Sequence, residues 1–254
     1  MFNIVYSEFL KLKKSYLFTI ALIASIFLPI IALIVALSND YSGISSALRY
    51  TLIKNYRANI EINCFEFLYT VLFSLIAGYI FSREFTDKTD NVIYVYPISR
   101  TKIFIGKLLT LYIIISFIYI VQFLATYLTL CIAWQELPSK NFILTDIKVN
   151  VYSLLAQFLL MPIPILIGNI TKNIIFPVVY GILGAVSCMG AMAAGLMYSA
   201  VYMQFSPLML PVLPMYYFHV GDPIDFVLIT TSAVLTFSIF MFLAIYQYNK
   251  MDIN

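Results

Sequence analysis

Residues 16–37 read YLFTIALIASIFLPIIALIVAL, an apolar run without a single charge. As a helix rising 1.5 Å per residue it reaches about 33 Å, enough to cross a hydrocarbon core of about 30 Å. The run exceeds the roughly 7–15 residues of a secretory signal core, and no small-x-small site ends it, so it reads as a retained span. Five further segments meet the same criterion: Ile62–Phe81, Leu108–Ala133, Val151–Ile170, Ile174–Ala200 and Phe226–Tyr246. The chain of 254 residues is 62% hydrophobic and 11% charged, with mean hydropathy +0.94. Soluble domains carry about 25% charged residues, so lipid rather than water is the solvent of this chain. The sequence predicts one all-α integral membrane domain, 1–254, with six transmembrane helices.

Lys and Arg distribute unevenly between the loops. Lys11, Lys13, Lys14, Arg83, Lys88, Arg100, Lys102, Lys107, Lys172 and Lys250 fall on one side, and Arg49, Lys54, Arg57, Lys140 and Lys148 on the other. The richer side is cytoplasmic by the positive-inside rule, so both termini face the cytoplasm. Tyr16, Trp134, Tyr152, Tyr246 and Tyr248 near span ends suit an interfacial belt. Residues 1–15 pair Phe2, Val5, Phe9 and Leu12 with Glu8, Lys11, Lys13 and Lys14, the pattern of a helix lying in the interface and drawn to anionic lipid. Pro162 and Pro164 predict a kinked or broken fourth helix. Residues 199–225 lack Lys and Arg and carry Pro207, Pro211, Pro214 and Pro223 among apolar residues. They read as a re-entrant extracellular hairpin before the last span, the other reading being an apolar loop on the outer surface.

Catalytic chemistry has little to work with. Cys64, Cys131 and Cys188 follow no metal spacing and read as packing residues. His219 is the sole histidine, so a two-histidine metal site within one chain is excluded; it reads as an interfacial hydrogen-bonded residue near Asp222 and Asp225. Glu66 is the one acid within a span and suits either a pathway or an outer-interface pair with Arg57 or Lys54. Gln122 and Gln157 hydrogen-bond between helices or line a path. Span five is rich in small residues, including Gly184, Gly190, Ala194 and Gly195, which permit close helix packing within or between subunits.

The loop after span two, residues 82–102, reads SREFTDKTDNVIYVYPISRTK. Arg83, Glu84, Asp87, Lys88 and Asp90 crowd its start, an aromatic patch around Tyr94 follows, and Pro97 breaks any helix. A short cytoplasmic helix with charged and aromatic faces, attached to two spans, is suited to docking in a groove of a soluble partner.

Glu84, Thr89, Pro97, Ser99, Arg100 and Lys107 in this order resemble the signature of ABC-2 type transporter permeases, including those of lantibiotic and bacitracin immunity and of phenol-soluble modulin export. Lys88 departs from the glycine that many members carry before the threonine. Glu8, Lys11, Lys14 and Ser15 at the N-terminus, the six-span layout and the apolar hairpin are also similar to the family. The resemblance implies a transmembrane subunit working with two ATP-binding subunits and a second permease chain, in a homodimer whose seam includes span five. It implies that Arg83, Glu84, Asp87, Lys88, Thr89, Tyr94, Pro97 and Arg100 couple to the ATPase. It also implies that spans two and five border the substrate path. The chain has no GxxxxGK[ST] loop to cradle phosphates, so it binds no cofactor of its own; ATP and Mg2+ belong to the partner subunit. An apolar, aromatic lining suits an amphipathic peptide or lipophilic antimicrobial moved outward. Two other classes compete: a non-transporting assembly or sensor subunit, and a lipid-modifying membrane enzyme, for which Asp87, Lys88 and Asp90 form a poor acid cluster. The Ile-, Lys-, Asn- and Tyr-rich composition points to a low-GC bacterium and a Gram-positive plasma membrane.

Overall fold

A computed structural model describes residues 2–13, 15–39, 41, 43–87, 98–221 and 224–250. Among them, six helices are long and apolar enough to cross a membrane, and no strand occurs. In chain order the helices are α1 (Phe2–Lys13), α2 (Leu17–Ser38), α3 (Ser46–Asn63), α4 (Tyr69–Thr86), α5 (Arg100–Trp134), α6 (Lys140–Leu160), α7 (Pro162–Thr171), α8 (Ile175–Met197) and α9 (Phe226–Lys250).

The second span is longer than its apolar stretch suggests. A π turn at Cys64–Leu68 joins α3 to α4, so Ser46–Thr86 runs as one helical rod of 41 residues. At 1.5 Å per residue it is about 60 Å long, twice the hydrocarbon core. Residues 46–61, taken from sequence as part of an outer loop, are therefore helical. Ser45 caps the rod by accepting from the Leu48 amide. Ile53, Arg57, Ile60, Glu61 and Cys64 recur at helical spacing and form its buried face.

α4 is the central helix. Tyr69, Phe73, Ile76, Ala77 and Phe81 are fully enclosed, while α2 and α9 expose apolar side chains such as Ile23, Ile34, Val227 and Phe242. Between helices in lipid no hydrophobic force drives association, so close approach depends on small residues. A Cβ added at Gly78 would lie 2.8 Å from the Pro177 ring, and one added at Gly168 2.8 Å from Ser82 Oγ. Pro177 thus nests where α4, α7 and α8 meet, and Ser82 Oγ donates to the Gly168 carbonyl there (3.1 Å). The fourth span divides at Met161 into α6 and α7, with Pro162 opening α7, where its missing N–H costs least.

On α1 the apolar stripe differs from the one read in sequence. Leu12 is buried, whereas Phe2, Tyr6 and Leu10 are exposed one turn apart. Ile4 packs so closely on α5 that a Cβ at Gly106 would meet its Cγ2 at 2.5 Å. After α8 the chain makes 3-10 turns at Ala200–Phe205 and Pro207–Met209 and a π turn at Tyr216–Val220. Met203, Met209, Val212, Leu213 and Met215 are buried against the helices.

Replacing Gly78 with Ala forces the Pro177 ring, which cannot swing aside, away from α4. The variant is expected to lose about 1–3 kcal/mol, read as a lower unfolding midpoint in detergent.

Candidate functional site

Five helices converge on the two stems of the 82–102 loop. The last turn of α4 aims Glu84 inward, where it is 5% exposed. One carboxylate oxygen accepts from Lys107 Nζ of α5 at 2.5 Å and the other from Lys11 Nζ of α1 at 2.9 Å. Lys11 also binds Glu8 at 2.6 Å. Lys107 is fully buried, and its ammonium lies 5.7 Å from the centre of the Phe81 ring and 5.8 Å from that of Tyr248. Two acids and two lysines balance in charge, which is the condition for holding them out of water. Four of the charged residues that carried the likeness, Glu8, Lys11, Glu84 and Lys107, are one contact cluster although they come from α1, α4 and α5.

Around this core the loop stems are tied down. Arg83 binds Asp87 (2.9 Å), donates to the Lys11 carbonyl (3.2 Å) and stacks on Tyr79. On the other stem Arg100 donates to the Asn249 carbonyl (2.9 Å) near the end of α9. The Lys172 ammonium, just beyond α7, lies over Phe85. Both described ends of the chain therefore sit at this end of the bundle.

Glu84, expected from the resemblance to couple to the ATPase, lies buried between two lysines with its carboxylate facing inward across the stems, while Asp87, with half its side chain exposed, faces outward. Lys88, Thr89, Tyr94 and Pro97 lie outside the described residues.

A second ionic cluster lies in the opposite half of the rod. Arg57 is fully buried and bridges Glu61 (3.0 Å) and Asp146 of α6, with its guanidinium 5.1 Å from the Phe142 ring centre. Asp146 accepts from the Tyr127 hydroxyl at 2.6 Å, and Asn150 donates to Glu61 at 2.8 Å. His219 places Nε2 3.4 Å from Asp146, and Lys54 donates to the His219 carbonyl. The partner of His219 is thus Asp146 rather than Asp225, which instead accepts from the Val227 and Leu228 amides. Burial, reinforced by Arg57 and Lys54, pushes the imidazole down to about 4. Arg57 pairs with Glu61 and Asp146 and leaves Glu66 aside. Periodicity in residues 46–61 carried the signal for this cluster, but their polarity made them read as loop.

The intramembrane polar residues divide. Glu66 sits in the π turn and is buried. Glu66, Thr70 and Ser74 stack at four-residue spacing on α4, and Gly181 and Gly184 of α8 close over this stripe: a Cβ at Gly181 would meet Ser74 Cβ at 2.9 Å and the Thr70 carbonyl at 3.0 Å. Gln157 borders a void of about 10 Å³ with Thr70, Ser74 and Tyr180, room for about one water. Gln122, expected to bond between helices, instead donates to Thr126 of its own helix at 2.9 Å. Gly184 and Gly195, expected at a subunit seam, face Thr70 and Met203 of the same chain. Ala194 is half-buried and Gly190 is open.

Among the described residues, an all-helical bundle with six helices long and apolar enough to cross a membrane, and a charged junction bracing the stems of one connecting loop, defines a multi-pass membrane protein. Residues 4–188 match the family model described as ABC-2 family transporter protein. The chain belongs to that family and is a multi-pass transmembrane subunit of an ABC transporter, whose partner is an ABC ATP-binding subunit. Among curated proteins, none matches the chain.

Removing one member of a buried ion pair strands the other, at a cost of about 3–5 kcal/mol. Glu84→Ala is therefore expected to lower the unfolding midpoint sharply, and the double variant Glu84→Gln, Lys107→Met to recover most of the loss; a thermal melt of purified protein measures both. His219 carries the pH dependence. Its folded pKa of about 4 lies below the unfolded value of about 6.5, so the unfolded state binds the proton first. Its contribution is intact above pH 6.5 and is lost as pH falls toward 4. A melt series across that window is expected to flatten in His219→Phe relative to the parent.

Proposed function

We propose that this chain is the membrane half of an ATP-driven exporter that moves an amphipathic peptide or lipophilic antimicrobial out of the cell or its membrane. The supporting observation is the Lys11–Glu84–Lys107 junction. It joins both stems of the 82–102 loop to α1 and the start of α5, so a push on the loop moves α4 and α5 together instead of flexing a tether. The loop and both termini lie on the cytoplasmic side of the plasma membrane, in line with the positive-inside charge pattern. Two ATP-binding subunits hold ATP and Mg2+ and engage residues 87–98. Residues 199–225 form a re-entrant cap on the outer side, supported by the burial of Met203, Met209, Leu210, Val212, Leu213 and Met215.

The substrate path follows the Glu66–Thr70–Ser74 stripe between α4 and α8. Gly181 and Gly184 hold it closed here, and parting the two helices opens it. The second permease chain is a copy of the first, packed on the outer face of α8, where Leu183, Val186 and Met189 are exposed and Gly190 leaves room for a neighbouring backbone.

Asp87 tests the coupling role, because it is exposed and its loss does not strand a buried charge. In the complex purified with its ATPase, Asp87→Arg is expected to lower substrate-stimulated ATP hydrolysis about tenfold, the equivalent of about 1.4 kcal/mol in a docking contact, with no change in melting. Full stimulation in that variant would remove the loop from the coupling role.

A further inference from the structure

Two apolar grooves run along the lipid-facing side of α5, one on each side of Leu124. The first, about 200 Å³, lies between α5 and α6 and is lined by Tyr119, Ile120, Phe123, Ile147, Val151 and Leu154, among others. The second, about 300 Å³, lies between α2 and α5 and is lined by Ile26, Val121, Ala125, Leu128 and Thr129. Leu124 borders both and stands 55% exposed as the ridge between them. Neither lining includes a charged residue.

The depth of the grooves follows from the ionic clusters. Lys107 and Glu84 mark one edge of the bilayer, and Tyr127, bonded to Asp146, marks the other. Twenty residues of α5 separate Lys107 from Tyr127, about 30 Å of rise, which equals the hydrocarbon thickness. Leu124 then lies about 5 Å inside the Tyr127 edge. On the α5 side of the grooves, Tyr119 to Ala125 fall in the half of the bilayer away from the loop, with Ser116 at the midplane and Leu128 and Thr129 just past the Tyr127 edge. Ser116, Asn150 and Thr129 also border the grooves but turn little polar surface into them, so water gains little there, and at this depth the surrounding solvent is acyl chain.

We propose that the paired grooves are a binding site for one diacyl phospholipid of the leaflet opposite the loop, with one acyl chain on each side of Leu124. Recognition is of the two chains as a pair, because a shared ridge with a groove on either side matches two chains joined at one glycerol. A single-chain lipid fills half the site.

The test uses the full chain purified in mild detergent, with the phospholipid that stays bound counted by native mass spectrometry. Wild type is expected to retain one diacyl phospholipid per chain. Leu124→Trp, which fills both grooves from an exposed position, is expected to reduce that occupancy about tenfold. Leu235→Trp, at an exposed position of α9 that lines neither groove, is expected to retain the lipid, and helicity and elution volume confirm that both variants fold. A lysophospholipid of the same headgroup is expected to displace the bound lipid only at much higher concentration than the diacyl form. Equal retention by Leu124→Trp and wild type, absence of retained lipid in wild type, or equal displacement by the single-chain lipid would overturn the proposal. So would efficient disulfide cross-linking between two copies carrying Ile120→Cys in native membranes, which would make the grooves a protein interface.

Discussion

Charge that is buried must be paired, and in this protein that constraint fixes the frame. Arg57 with Glu61 and Asp146 lies partway along a continuous helical rod, and Glu84 with Lys107 and Lys11 near its far end. From Glu61 to Glu84 the rod rises about 35 Å, close to the thickness of a hydrocarbon core. An unpaired ion between those points is costly, and apart from Arg83, which adjoins Glu84 and pairs with Asp87, Glu66 is the sole Asp, Glu, Lys or Arg of the rod between them. The two clusters thus act as bolts at the two membrane edges, and the apolar helices pack between them. α1, α5 and α6 are each held to the rod by a charge of opposite sign.

The frame explains how a loop can act at a distance. Residues 82–102 leave α4 just past one bolt and re-enter α5 just before it. The same α4 carries the polar stripe that α8 covers about 20 Å further along, a distance of three turns or more. Small residues make that cover close: Gly181 admits no Cβ without displacing α4, and one at Gly184 would press on the Thr70 methyl at 3.1 Å. In the proposed exporter, a rigid rod with a bolt near its driven end and a glycine-closed seam along its length would convert loop displacement into seam opening, with the energy drawn from the ATP-binding partner.

The six spans were legible in sequence because a run of about 20 apolar residues has few other readings. The division of the fourth span at Met161 was legible from Pro162 and Pro164. Residues 46–61 were not, because Arg49, Lys54, Arg57 and Glu61 suggest solvent to a hydropathy reading. Their burial depends on Asp146 and Asn150, almost 90 positions away, which no local window sees. The junction was half legible. Glu8, Lys11, Glu84 and Lys107 stood out as a pattern, but whether a carboxylate faces a partner protein or two lysines is decided by helix rotation at the end of α4. The small residues of span five signalled close packing correctly in kind. Which neighbour they pack against depended on Thr70, Ser74 and Met203 of the same chain.

Depth is the most direct test of this frame. Spin labels placed one at a time at the exposed positions Leu109, Ile113, Phe117, Ile120, Leu124, Leu128 and Ile132 of α5, in proteoliposomes, report depth through the ratio of oxygen to polar-reagent accessibility. Two bolts at the membrane edges predict a maximum near Phe117, midway between Lys107 and Tyr127, and a steep fall by Ile132. A maximum at Leu128 or beyond would place Arg57 and Asp146 inside the hydrocarbon core and contradict the account.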